Sequence, residues 1–212
     1  MIMGPTGLYR MKPAAQRLVR PLVEASVSRG VSADVLTLAA VPVAVAGGLC
    51  LALSDALPAL LLLVPILATL RLVLNLVDGQ VARATRTSHP MGEMWNELGD
   101  RLADVLFIGG LAYVPEVGPL LALSAAMAAV LASYVGITAR AIAAPRAYGG
   151  VMSKPGRMFV LAVAAPVAFV IAGTWPLVLA AWLILAGSVL TLVQRLRATQ
   201  DALTADPKGE QP

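Results

Sequence analysis

Apolar residues run through this chain in long blocks, and the block lengths set the first expectation. Blocks at about 35–54, 58–81, 94–114, 118–140, 157–173 and 176–194 each approach the roughly 20 residues that a helix needs to cross a hydrocarbon core. They predict an all-α membrane bundle of six transmembrane helices. The block at 94–114 is interrupted by Glu97, Asp100, Arg101 and Asp104. Ahead of the first block, Met11, Ala15, Leu18, Leu22 and Val23 recur at helical spacing, with Arg10, Arg17, Arg20 and Glu24 mostly on the other side. That pattern predicts an amphipathic helix over 8–30, lying in the membrane interface with its apolar stripe in the acyl boundary and its arginines at lipid phosphates. Pro13 and Pro21 should break it into pieces. Residues 201–212 are polar and read as a frayed tail, and residues 1–200 read as one domain.

Composition agrees with the blocks. Of the 212 residues, 58% are hydrophobic and 13% charged, well above the roughly 45–50% apolar share of soluble domains. The basic residues add a topology. Arg10 to Arg29, Arg83 and Arg86, Arg140 to Arg157, and Arg195 to Lys208 all fall on one side of a six-span arrangement. The connections SDALP, YVPEVG and GTWP on the other side carry no Lys or Arg, so both termini should be cytoplasmic in a cell membrane. The pI near 9.6 then reflects topology and anionic headgroups. Nucleic-acid binding is not expected, because aromatics make up only 5% of the chain and do not interleave with the basic residues. The single cysteine, Cys50, excludes an intrachain disulfide and a cysteine metal cluster. No apolar run precedes residue 35, so no cleaved leader is expected.

The candidate chemistry lies between Asn75 and Asp104. Ionisable groups inside a membrane span are costly and normally face a protein interior or a water-filled cavity. Arg71, Asn75, Asp78 and Ala82 are separated by four, three and four residues, which puts them on one helical face. Gly92, Asn96, Asp100 and Asp104, each four apart, form a second row on the next helix. The two helices are antiparallel, so the rows can meet near the cytoplasmic surface and offer oxygen donors to a hard cation such as Mg²⁺ or Mn²⁺. Gly79, Ala82 and Gly92 leave bare helix surface beside the acids. Intramembrane acids also line ion pathways, so a small transporter is a competing expectation.

The run DGQVAR, eight residues, Gly92, three residues, Asn96, three residues and Asp100 resembles the signature of the CDP-alcohol phosphatidyltransferases, D-x-x-D-G-x-x-A-R-x(8)-G-x-x-x-D-x-x-x-D. Asn75 and Asn96 stand where that pattern has its first and third aspartates. The resemblance implies transfer of a substituted phosphoryl group from a CDP-linked alcohol, commonly CDP-diacylglycerol, to a small polar acceptor alcohol with release of CMP, by a protein that is commonly a homodimer. It implies Asp78, Asp100, Asn75 and Asn96 as metal donors, with Asp100 as general base. Gly79, Ala82, Arg83 and Gly92 would take the cytidine portion, Arg83 supporting phosphate charge or bracing the acids. The two amides bring no charge, which weakens the pull on a second metal. A family member reduced to binding nucleotide or lipid is the alternative they raise. Asp104 would either join the ligands or pair with Arg71.

Lys154 and Arg157, before the fifth block, are expected to meet the acceptor or its phosphate, and Arg140 and Arg146 to be ordinary loop charges. Structural roles are expected elsewhere: a Glu97–Arg101 pair four residues apart, a solvated Glu93, an exposed His89 and Asp34 as helix cap. Trp95, Trp175 and Trp182 read as interface anchors or packing.

Overall fold

A computed structural model describes residues 12–142, 144 and 149–205. Arg10 and Met11 of the expected amphipathic segment, Arg146, and residues 206–212 of the expected tail lie outside them. The described elements are all helical: α1 (Lys12–Leu18), α2 (Arg20–Ser28), α3 (Ala33–Ala52), α4 (Val64–Ala84), α5 (Pro90–Gly110), α6 (Gly118–Ala141), α7 (Lys154–Val170) and α8 (Trp175–Ala205). Short 3-10 turns at Pro58–Leu62 and Leu111–Tyr113 lead into α4 and out of α5.

Among the described residues, four segments are long and apolar enough to cross a membrane: Ala33–Ala52, Pro58–Ala84, Gly118–Ala141 and Trp175–Thr204. Helices α5 and α7 occupy the other two predicted blocks but differ from these in physical ways. Charge interrupts α5, and α7 has 17 residues, or about 25 Å of rise. Helix α8 runs beyond the predicted 176–194 and takes in residues 201–205 of the expected tail, because hydropathy marks where an apolar environment ends, not where a helix ends.

The surface is turned inside out relative to a soluble domain. Leu38, Ile66, Leu120, Leu123, Phe159, Val170 and Leu190 are exposed, while Arg71, Asp78, Asp104 and Arg157 are buried. An apolar exterior of this extent fits a hydrocarbon solvent. Inside, α3 packs along α4 and α5, α6 along α8, and α7 against α4 and α8. Small residues permit close approach: α6 buries Ala122, Ala125, Ala126, Ala129 and Ala132, and α3 meets α5 at Gly48 and Gly110. A Cβ on Gly48 would run into the Leu106 carbonyl, and one on Gly110 into the Gly48 carbonyl. Such contacts replace the missing hydrophobic drive between helices in lipid.

The N-terminal helices break at Val19, next to Pro21. Of the expected apolar stripe, Val23 packs inward with Val19 against Val77 and Val81 of α4, whereas Leu18 and Leu22 stay exposed. Helix α2 is thereby anchored to α4 on residues adjacent to Asp78. The start of α3 also differs from expectation. Ser32, not Asp34, caps it, its hydroxyl accepting from the Val35 N–H at 3.3 Å, because Ser32 holds the extended backbone that a cap requires.

Candidate active site

The two polar rows meet as the spacing predicts. The Asn75 amide on α4 donates to Asn96 Oδ1 at 3.0 Å and to Asp100 Oδ1 at 3.1 Å on α5. The Asn96 amide donates in turn to Asp78 Oδ2 at 3.5 Å. These bonds tie α4 to α5 through the side chains that the sequence nominates as oxygen donors.

A cavity of about 360 Å³ opens here, between the starts of α3 and α5 and the ends of α4 and α6. Asn75, Asp78, Gly79, Ala82, Arg83, Gly92, Asn96 and Asp100 line it. The guanidinium of Arg83 lies over Gly79, and the His89 ring lies over Gly92, close enough that a Cβ at Gly92 would press on it.

Asp78 and Asp100 sit in different electrostatic settings. Asp78 is held by neutral donors: the Thr37 hydroxyl at 2.8 Å, the Gly79 N–H and Asn96. Asp100 is held by cations. Its Oδ1 accepts from Arg71 at 2.8 Å, from Lys154 and from Asn75, and among the described residues no donor falls on its Oδ2. Arg71 is buried, and its Nε and Nη1 have no partner among the described residues.

Three expected roles change. Asp104 neither joins the cavity lining nor pairs with Arg71. Both of its oxygens take Arg157, at 3.1 and 2.6 Å, because α7 brings Arg157 to the same depth while Arg71 is engaged by Asp100. Arg157 is 2% exposed and does not line the cavity; its remaining nitrogen donates to the Met152 carbonyl at 3.1 Å. Lys154 sits on Asp100 with a side chain only 10% exposed, bound to the acid row and not displayed to the loop.

Helix α8 positions the segment that delivers Lys154. Arg195 donates to the carbonyls of Gly149 at 2.9 Å and Ala132 at 2.6 Å, and the Thr191 hydroxyl accepts from the Met152 N–H at 2.8 Å. Gly150 has φ +132 and lies so close to Thr191 that a side chain there would clash.

Several lining residues carry no strong sequence signal. Gln16, Asp34, Thr37, His89, Glu93 and Arg140 all contribute. His89 is the cap of α5: its Nδ1 accepts from the Gly92 N–H at 3.1 Å, so Nε2 carries the proton and donates to Asp34 Oδ2 at 3.3 Å. Arg140 pairs with Glu93 at 3.3 Å across the mouth, while Glu97 and Arg101 form the expected helical pair at 2.7 Å. The His89–Asp34 and Thr37–Asp78 contacts join different helices and can be read only once their packing is known.

The chain matches no family model. It is 33% identical to the inner membrane protein YnbA of Escherichia coli over 153 residues, covering 72% of this chain and 76% of YnbA. It is 28% identical to the phosphatidylinositol phosphate synthase of Mycolicibacterium smegmatis over 203 residues, covering 92% of this chain and 90% of that protein. The fold is similar to crystal structures of the Mycobacterium tuberculosis phosphatidylinositol phosphate synthase. The complex with manganese and citrate superposes with a TM-score of 0.73 at 23% identity, over 91% of both chains. The CDP-DAG complex gives 0.74 at 23% identity, over 92% of this chain and 98% of the other. The apolar exterior, the segments long and apolar enough to cross a bilayer and the likeness to an inner membrane protein make this an integral membrane protein. The chain belongs to the same family as YnbA, and its homologue over nine-tenths of its length, the phosphatidylinositol phosphate synthase, is a member of the CDP-alcohol phosphatidyltransferases.

Proposed function

We propose that the protein transfers a phosphatidyl group from CDP-diacylglycerol to the hydroxyl of a small polar alcohol, releasing CMP, in phospholipid synthesis. The observation that carries this is the meeting of two rows of oxygen donors in one cavity at the end of an apolar bundle. The Mycolicibacterium relative is a phosphatidylinositol phosphate synthase, and its Mycobacterium tuberculosis counterpart binds CDP-DAG and manganese.

The donor set fits a hard divalent cation. Asp78 and Asp100 supply carboxylate oxygens and Asn75 and Asn96 amide oxygens, the ligand chemistry that Mg²⁺ and Mn²⁺ favour. Among the described residues no three His, Cys, Asp or Glu side chains form a ready metal centre, so the amides and a substrate phosphate must complete the shell. Such an ion supplies charge for the diphosphate and the departing CMP.

The chain's own residues do the rest. Arg83 meets phosphate charge above Gly79, and Gly79, Ala82 and Gly92 leave a bare wall for the cytidine. Asp100, fixed through Oδ1, presents Oδ2 to take the proton of the attacking hydroxyl. The acceptor oxygen bonds to the phosphorus bearing diacylglycerol, the anhydride bond breaks, and CMP leaves with the bridging oxygen. Lys154 contributes by setting the charge on Asp100, and Arg157 by holding α7 against α5.

In this reading residues 1–200 form one domain of six spans, working as a homodimer with both termini and the cavity on the cytoplasmic side. Leu18 and Leu22, exposed on α1 and α2, dip into the acyl boundary beside it. The reading is tested with purified protein, CDP-diacylglycerol, Mg²⁺ or Mn²⁺ and a panel of acceptors that includes inositol phosphate, glycerol 3-phosphate and serine. CMP and a new phospholipid should appear together with one acceptor. If neither forms with any acceptor, the amide-bridged rows favour instead a family member that binds nucleotide or lipid without turning it over.

A further inference from the structure

The buried polar cluster balances its own charge. Asp78, Asp100 and Asp104 supply three negative charges, and Arg71, Lys154 and Arg157 three positive ones. Asp104 is neutralised by Arg157, and Asp100 faces both Arg71 and Lys154. Asp78 alone of the three is held only by neutral donors. Asp34, Glu93, Arg83 and Arg140 at the rim are exposed, so solvent and salt screen them.

We propose that this cavity takes up one divalent cation, and takes it up together with the cytidine diphosphate group instead of ahead of it. The inference rests on the proposed function and extends it. A lone Mg²⁺ or Mn²⁺ would leave the buried cluster at +2, which a poorly solvating interior penalises. A diphosphate brings about two compensating negative charges and the phosphate oxygens that Mg²⁺ prefers. A second ion would restore the excess even with the nucleotide bound.

Geometry points the same way. The Asn75 amide lies between Asn96 Oδ1 and Asp100 Oδ1 and donates to both, so an N–H group holds the two rows together where a shared cation would bind. Admitting an ion there requires Asn75 to give up both bonds, and the ligand must offset that loss. Acids at positions 75 and 96 would instead present two more carboxylates and draw cations unaided.

The test is equilibrium dialysis of the full-length protein in detergent against Mn²⁺ and radiolabelled CDP, counting both ligands. We expect weak Mn²⁺ binding alone, and one Mn²⁺ per chain bound at least about tenfold more tightly with saturating CDP. CDP affinity should rise with Mn²⁺ by the same factor, because coupling free energies are reciprocal. The variant carrying Asn75→Asp and Asn96→Asp, checked for an unchanged thermal midpoint, should bind Mn²⁺ without CDP. Two Mn²⁺ per native chain, or equal Mn²⁺ affinity with and without CDP, would overturn the inference while leaving the function standing. CDP that fails to bind at any Mn²⁺ concentration would overturn both. The native measurement decides the matter even if the double variant does not fold.

Discussion

Replacing Asp78 with asparagine is expected to slow CMP formation by roughly 10²–10³-fold, the loss typical when one electrostatic stabiliser of a phosphoryl- or acyl-transfer site is removed. Asn is nearly isosteric and still offers an oxygen to the Thr37 hydroxyl, which donates to Asp78 at 2.8 Å. The thermal midpoint should therefore stay close to that of the native protein, so lost turnover reports chemistry and not unfolding. Asp100→Asn should be slower still, losing a metal donor and the proton acceptor together. It also leaves Arg71 and Lys154 facing a neutral amide, and a falling midpoint should accompany its lost activity. Unchanged CMP rates in both variants would remove these two acids from the mechanism.

The second large effect belongs to stability. Asp104 and Arg157 are among the most buried charges in the structure, at 0% and 2% exposure, and join two helices by a two-pronged ion pair. Deleting either partner strands the other charge, at a cost of about 3–5 kcal/mol. Arg157→Met should thus lower the denaturation midpoint sharply in detergent. Arg157→Lys should recover only part of it, because an ammonium lacks the forked geometry. The double change Asp104→Asn with Arg157→Met should be more stable than Arg157→Met alone, since no unpaired charge remains. Equal midpoints for the native protein and Arg157→Met would show that the pair does not brace α7 against α5.

What could be read from sequence was whatever repeats within one helix. The rows 71–75–78–82 and 92–96–100–104 follow from helical spacing, and the cavity gathers most of their members. Partners on distant helices could not be read. Thr37 reaches Asp78 from 41 residues away, and Lys154 and Arg157 reach Asp100 and Asp104 from 54 and 53. Spacing tells which residues share a face but not how far each helix is rotated or shifted against the next. That is why Asp104 looked free to meet Arg71. Instead Asp100, one turn along α5, takes Arg71, and α7 supplies the guanidinium that Asp104 meets. Capping misled for a related reason: Asp34 and Ser32 are both capable caps, and backbone conformation decides between them. His89, read as a loop residue, caps its own helix at Gly92 and reaches Asp34 on a helix far away in the chain.

Asp78 on α4 and Asp100 on α5 are expected to serve one divalent ion beside the cytidine site. Anomalous diffraction from crystals grown with Mn²⁺ and CDP tests it most directly. A single manganese peak should lie within bonding distance of both carboxylates and of the nucleotide's phosphates. A manganese peak elsewhere in the protein, or either carboxylate turned away from the ion, would contradict it.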